Sequence, residues 1–123
     1  MLETDYLYVA ILKGLLTDQN YAITVTTVFD PDYFETPGMV SIFKSVKSHL
    51  EVYNTLPSRD IIVNSVGEDN VEAVKRMFDD ADATDFEVST NYDWLRDETN
   101  KYLKNRAIKD SIIKSVDVIL SSS

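Results

Sequence analysis

Cysteine is absent from this chain of 123 residues, and histidine occurs once, as His49. Disulfides and thiolate metal sites are therefore excluded, and neither a zinc site with several imidazoles nor most nucleophilic triads can be built. Glycine is nearly as scarce, with only Gly14, Gly38 and Gly67. Phosphate-binding loops of the G-x-x-x-x-G-K-[ST] or G-x-G-x-x-G kind need glycines where the backbone must approach phosphate, and neither pattern occurs. No apolar run approaches the ~18 residues of a membrane span, and the first residues carry no leader pattern. With no cysteine to oxidise, the composition suits a reducing compartment, and the chain reads as soluble and cytoplasmic. No cofactor and no membrane partner is expected.

Positive charge is also in deficit. Lys and Arg number 12 against 21 Asp and Glu, a net charge of −9. A dedicated nucleic-acid surface needs clustered Lys and Arg, so this balance argues against one. The imbalance is uneven. Residues 99–123 hold Lys101, Lys104, Arg106, Lys109 and Lys114 against Asp110 and Asp117, a net of +3, which leaves −12 on residues 1–98. An acidic body with a basic tail suits self-association or a basic partner, and the plainer reading is that the charge maintains solubility.

The stretch from Tyr92 to Leu120 contains neither Pro nor Gly. As a helix rising ~1.5 Å per residue it would reach roughly 43 Å. A domain of this size has a radius of gyration of only ~13 Å, so part of the helix should project or pack on another chain. Its apolar positions recur at threes and fours, and the second half is the richer. Ile108, Ile112, Ile113, Val116, Ile119 and Leu120 form the candidate subunit interface.

The preceding residues read as short helices. Thr4 caps a first one through Leu7, Ile11, Leu12, Leu15 and Leu16, with Gly14 inside it where a neighbouring helix comes close. Thr17 to Asn20 is a polar break. Tyr21 to Phe29 has strand-forming residues, but a lone strand has nothing to pair with, so a helix is expected. A turn-rich link carries Pro31 and Pro37, with Asp30 or Thr36 as caps and Tyr33 and Phe34 plugged into the core. Pro37 to Tyr53 is amphipathic, with Met39, Val40, Ile42, Phe43, Val46, Leu50 and Tyr53 on one side. Ser58 caps a short helix that Gly67 stops, and Glu68 to Phe78 forms another. Asp79 to Asp85 then reads as an acidic loop. Thr90 or Asn91 caps the long helix. The expected fold is all-α: a compact body of about five short helices over residues 1–91, followed by one long C-terminal helix over 92–123.

Candidate chemistry is thin. Asp79, Asp80, Asp82 and Asp85 invite a Ca²⁺ loop, but the sixth and twelfth positions of that pattern fall on Thr84 and Thr90 instead of Gly and Glu. Asp30 and Asp32 read as turn residues, and His49 as a surface or half-buried side chain favoured near a helix C-terminus. The aromatics Tyr21, Phe29, Tyr33, Phe34, Phe43, Tyr53 and Phe78 lie at core spacing, not as a base-stacking platform. Trp94 is either a joint between helix and body or an interface anchor, with the joint preferred. No catalytic, cofactor or metal residue is expected, which points to an interaction module.

Three stretches resemble the N-terminal domain of DnaB-type replicative DNA helicases, in the version found in T4-like bacteriophages. They are Ala10-Ile-Leu-Lys-Gly-Leu-Leu-Thr-Asp18; Phe34 with Met39, Ile42-Phe43, Val46, Leu50 and Leu56-Pro-Ser-Arg-Asp-Ile-Ile-Val63; and the tail from Asp97 to Ile119 with its central Arg106-Ala107. The resemblance implies a non-catalytic collar domain that pairs subunits as a dimer or a trimer of dimers. It also implies docking of primase and helicase loader, contact with single-stranded DNA at most indirectly, and a site of action in a bacterial or phage-infected cell. Such helicases continue into an ATPase motor, no part of which is in these 123 residues. The alternative is a stand-alone acidic helical adaptor, such as a phage regulator binding a host protein.

Overall fold

The computed structural model describes the backbone of residues 3–122 and the side chains of residues 6–109. Its elements are α1 (Glu3–Thr17), α2 (Gln19–Val28), a 3-10 turn (Pro31–Tyr33), α3 (Pro37–Tyr53), α4 (Arg59–Ser65), α5 (Glu68–Ala83) and α6 (Tyr92–Ser122). Every regular element among the described residues is helical, as the all-α reading expects.

α3 packs against α5 and α2, and α1 touches α2, α3, α5 and α6. The core lies where these faces meet. Ile11, Leu12 and Leu15 come from α1, and Met39, Ile42, Phe43 and Val46 from α3; Ile62, Val74 and Leu95 complete it, all fully buried. Phe34 is buried too, so the link after α2 plugs into the core as its sequence suggests.

Local chemistry accounts for most element ends. The Asp18 carboxylate accepts from the Tyr21 N–H at 3.0 Å and caps α2, which turns the polar break into a helix start. Tyr21 to Val28 is helical, and its buried face is Tyr21, Ala22, Val25 and Thr26; Val28 is exposed. Asp30 caps the 3-10 turn through the Asp32 N–H at 2.9 Å. Thr36 holds the N-cap position of α3 without a side-chain hydrogen bond. Asn54 ends α3 in the left-handed region, φ 56°, which asparagine tolerates better than most residues. Ser58 caps α4 through the Ile61 N–H at 3.2 Å.

Four expectations fail. Thr4 lies inside the first turn of α1, one residue past its start at Glu3. Gly67 opens α5 at φ −67° instead of stopping α4 in the left-handed region. The acidic loop is mostly helix, because α5 runs on to Ala83. Its reason is Ala81, which is buried one turn after Phe78 and continues the spacing of Val74 and Phe78 onto the core. Finally, Tyr53 is 66% exposed, on the last turn of α3 beyond the end of the core.

Candidate assembly helix and its seat on the body

The inner half of α6 is held by the body at a series of points. Gly14 makes the first possible. A Cβ there would stand 2.6 Å from Cε2 of Tyr21 and 3.0 Å from Cδ2 of Leu95. Only a bare backbone lets the Tyr21 ring and Leu95 close on α1, so the close approach expected at this glycine is real. The Tyr21 hydroxyl then meets the Thr99 hydroxyl at 2.7 Å, with both residues buried. Burial pushes the Tyr21 phenol well above its ordinary pKa, against the opposing effect of the Thr99 hydrogen bond.

One turn on, Tyr102 lies roughly parallel to Phe29 and Phe34, with ring centroids 6.1 and 6.0 Å away. Its hydroxyl donates to the Tyr33 carbonyl and stands 2.8 Å from the Tyr8 hydroxyl. The Glu35 N–H donates to that Tyr8 oxygen at 3.2 Å. With the Tyr102 proton committed to a carbonyl, Tyr8 must donate to Tyr102, so the chain runs Glu35 N–H to Tyr8 O–H to Tyr102 O–H to Tyr33 C=O, each donor matched. Burial raises the Tyr102 pKa as well. Arg106 closes the series, with Nη1 donating to Glu35 Oε1 at 2.9 Å and Nη2 to the Asp32 carbonyl at 3.3 Å.

At the base of α6, Trp94 packs on Tyr6 and Phe86, at 5.9 and 5.7 Å between centroids, and is still 41% exposed. It is a joint between helix and body. Lys13 steadies the loop beneath it by donating to the Thr84 and Phe86 carbonyls. Asn91 contributes the backbone carbonyl that receives the Leu95 N–H at 3.0 Å, while its amide side chain turns back to the Glu87 carbonyl.

Of the predicted interface residues, Ile108 is 58% exposed on the first turn past this seat. Ile112, Ile113, Val116, Ile119 and Leu120 lie outside the described side chains, on backbone that is helical to Ser122. Two of the basic residues of the tail are ion-paired in the fold. Lys101 pairs with Glu98 at 3.2 Å and Arg106 with Glu35. From Ala107 onward Lys109 and Lys114 face Asp110 and Asp117 in number, a net of zero. The basic character therefore belongs to the seated half.

A second feature went unread in the sequence. An open groove of about 760 Å³ runs between α3 and the α4–α5 corner, with Val52, Tyr53 and Ile61 exposed on its walls. His49 lines it and leans on the Tyr53 ring at 4.6 Å. The signal was present in Val52-Tyr53, two large apolar residues where a helix terminates, but the amphipathic pattern assigned Tyr53 to the core. Among the described residues no three His, Asp or Glu side chains converge as a metal site, and no helix is long and apolar enough to cross a membrane. The acidic run contributes Asp82, which forms an ion pair with Arg59 at 2.9 Å that holds its carboxyl below the usual range.

No family model and no solved structure matches the chain. A DnaB-like replicative helicase of Enterobacteria phage T4 is 30% identical over 114 residues, covering 88% of this chain and 23% of that helicase. The chain thus spans less than a quarter of the length of the curated relative it matches. Over most of its length, this all-helical chain is similar to part of a DnaB-like phage replicative helicase.

Proposed function

We propose that this chain acts in DNA replication as the N-terminal collar of a hexameric replicative helicase, an assembly module without catalysis of its own. The observation that carries this reading is the 30% identity to the phage helicase along 88% of the chain. The shape of α6 supports it. A helix of 31 residues is seated on the body over its inner half, and the sequence beyond that seat carries Ile108, Ile112, Ile113, Val116, Ile119 and Leu120 at helical spacing. Burying a few such side chains against another subunit, at ~25 cal/mol per Å² of apolar surface, contributes several kcal/mol to dimerisation. Docking of primase and helicase loader belongs to the same proposal and follows from the resemblance to DnaB-type collars.

Two tests address it. Nucleotide hydrolysis by the purified chain should not exceed background; turnover with single-stranded DNA would overturn the non-catalytic assignment. The genomic reading frame is the second. Continuation beyond Ser123 into a G-x-x-x-x-G-K-[ST] motif is expected, whereas a stop codon there favours a stand-alone adaptor acting through the −12 charge of residues 1–98.

A further inference from the structure

Helix α3 carries two stripes. Met39, Ile42, Phe43, Val46 and Leu50 are buried in the core. Ser41, Ser45, Ser48 and Val52 recur at fours and threes and line the groove that α3 forms with the α4–α5 corner. The serines are small, so the backbone of an incoming helix can come close to α3. The Ser65 hydroxyl donates to the Ile62 carbonyl at 2.9 Å, and Ser45 then donates to Ser65 at 2.6 Å. Both hydroxyl protons are thus used within the body.

Large apolar side chains stand along this stripe. Seven large hydrophobic residues are exposed among the described residues, and three of them, Val52 at 71%, Tyr53 at 66% and Ile61 at 44%, line this one groove. Apolar residues gathered in a concavity mark a binding surface, which singly scattered ones do not. The charge here is also unlike that of the body, where residues 1–98 sum to −12. The one carboxylate lining the groove is Glu35, and Arg106 holds it at 2.9 Å. Lys44 has no carboxylate within 4.0 Å among the described residues. Helices wall the groove on both sides, and their main-chain groups bond along each helix. An incoming segment therefore finds no strand edge and must satisfy its own backbone, as a helix does.

We propose that this groove receives an amphipathic helix of a partner protein, acidic on its polar face. Apolar side chains spaced at i, i+3 or i+4 and i+7 lie along the serine stripe against Val52, Tyr53 and Ile61, and a carboxylate meets Lys44. A basic segment would instead be drawn to the acidic remainder of the body, and single-stranded nucleic acid needs a row of cations that one lysine does not supply. The groove is part of the folded body, so the inference is independent of the collar assignment and of association between chains.

A phage-displayed library of 15-residue peptides, panned on the intact chain, tests it. Enriched peptides should carry apolar residues at helical spacing with an excess of Asp and Glu. When a representative peptide is titrated into the isotope-labelled parent chain, amide shifts should change over residues 40–53 and 61–70. Val52→Asp should weaken its binding by about tenfold or more, through the lost apolar contact. Lys44→Glu should weaken it by about fivefold. Both side chains are exposed, so the unfolding midpoints should match the parent's. Failure to enrich any peptide that shifts these residues would overturn the proposal, and so would a basic consensus, unchanged affinity for Val52→Asp, or displacement of the peptide by oligothymidylate. Shift mapping on the parent chain decides the matter even where a variant fails to fold.

Discussion

The hydroxyls of Tyr21 and Thr99 meet at 2.7 Å in the core, joining α2 to α6 across 78 positions of sequence. Both residues are buried, so each hydroxyl depends on the other. Tyr21→Phe leaves the Thr99 hydroxyl without its partner and should destabilise the chain by about 1–2 kcal/mol, read from the midpoint of urea unfolding. An unchanged midpoint would mean that Thr99 finds a substitute acceptor.

The same tyrosine predicts a pH dependence. Burial raises the Tyr21 pKa in the folded chain, whereas the unfolded side chain ionises near its ordinary value of about 10. Below that value both states hold the proton and the stability is complete. Above it the unfolded state loses the proton first, so stability falls as pH rises, by up to ~1.4 kcal/mol per unit for this group. Tyr102 adds loss of the same sign. Unfolding free energies measured from pH 8 to 11 should show the decline, and Tyr21→Phe should make it shallower.

Gly14→Ala tests the seat of α6. Alanine favours a helix interior over glycine by roughly 1 kcal/mol. Against that, the new Cβ meets the Tyr21 ring at 2.6 Å and Leu95 at 3.0 Å. Overpacking of this kind costs about 1–3 kcal/mol, so net destabilisation is expected, with faster amide exchange in α2 and inner α6. A more stable variant would show that the Tyr21 ring moves aside freely.

Lys13→Met tests the support beneath Trp94. Lys13 satisfies the carbonyls of Thr84 and Phe86 after the end of α5. Its removal should cost about 1–3 kcal/mol and raise amide exchange over residues 84–91 more than elsewhere. Uniform exchange changes would argue against a local role.

The sequence was legible where periodicity and capping agreed. Leu7 to Leu16, Met39 to Leu50 and the cap at Ser58 sit where their residue types place them, whereas Asp18, read only as part of a polar break, caps α2. It was less legible at Asp79 to Ala83, where four acidic or small residues hid one buried position, Ala81, that extends α5. Tyr53 shows the opposite error, an aromatic at helical spacing that lies past the end of the core. The polar seat was invisible, because Tyr8, Tyr33, Tyr102 and the Arg106–Glu35 pair lie tens of residues apart and come together only when α6 docks. Charge summed along the chain likewise gave no sign that Lys101 and Arg106 pair with Glu98 and Glu35 within the seated half.

The central claim is that outer α6 is an association surface, and sedimentation of the intact chain across rising concentration addresses it most directly. The chain should pass from monomer to dimer or higher assembly, and the pair Ile112→Asp and Val116→Asp should remain monomeric with an unchanged unfolding midpoint. A parent chain that stays monomeric at high concentration, or a doubly substituted chain that associates as strongly as the parent, would contradict it.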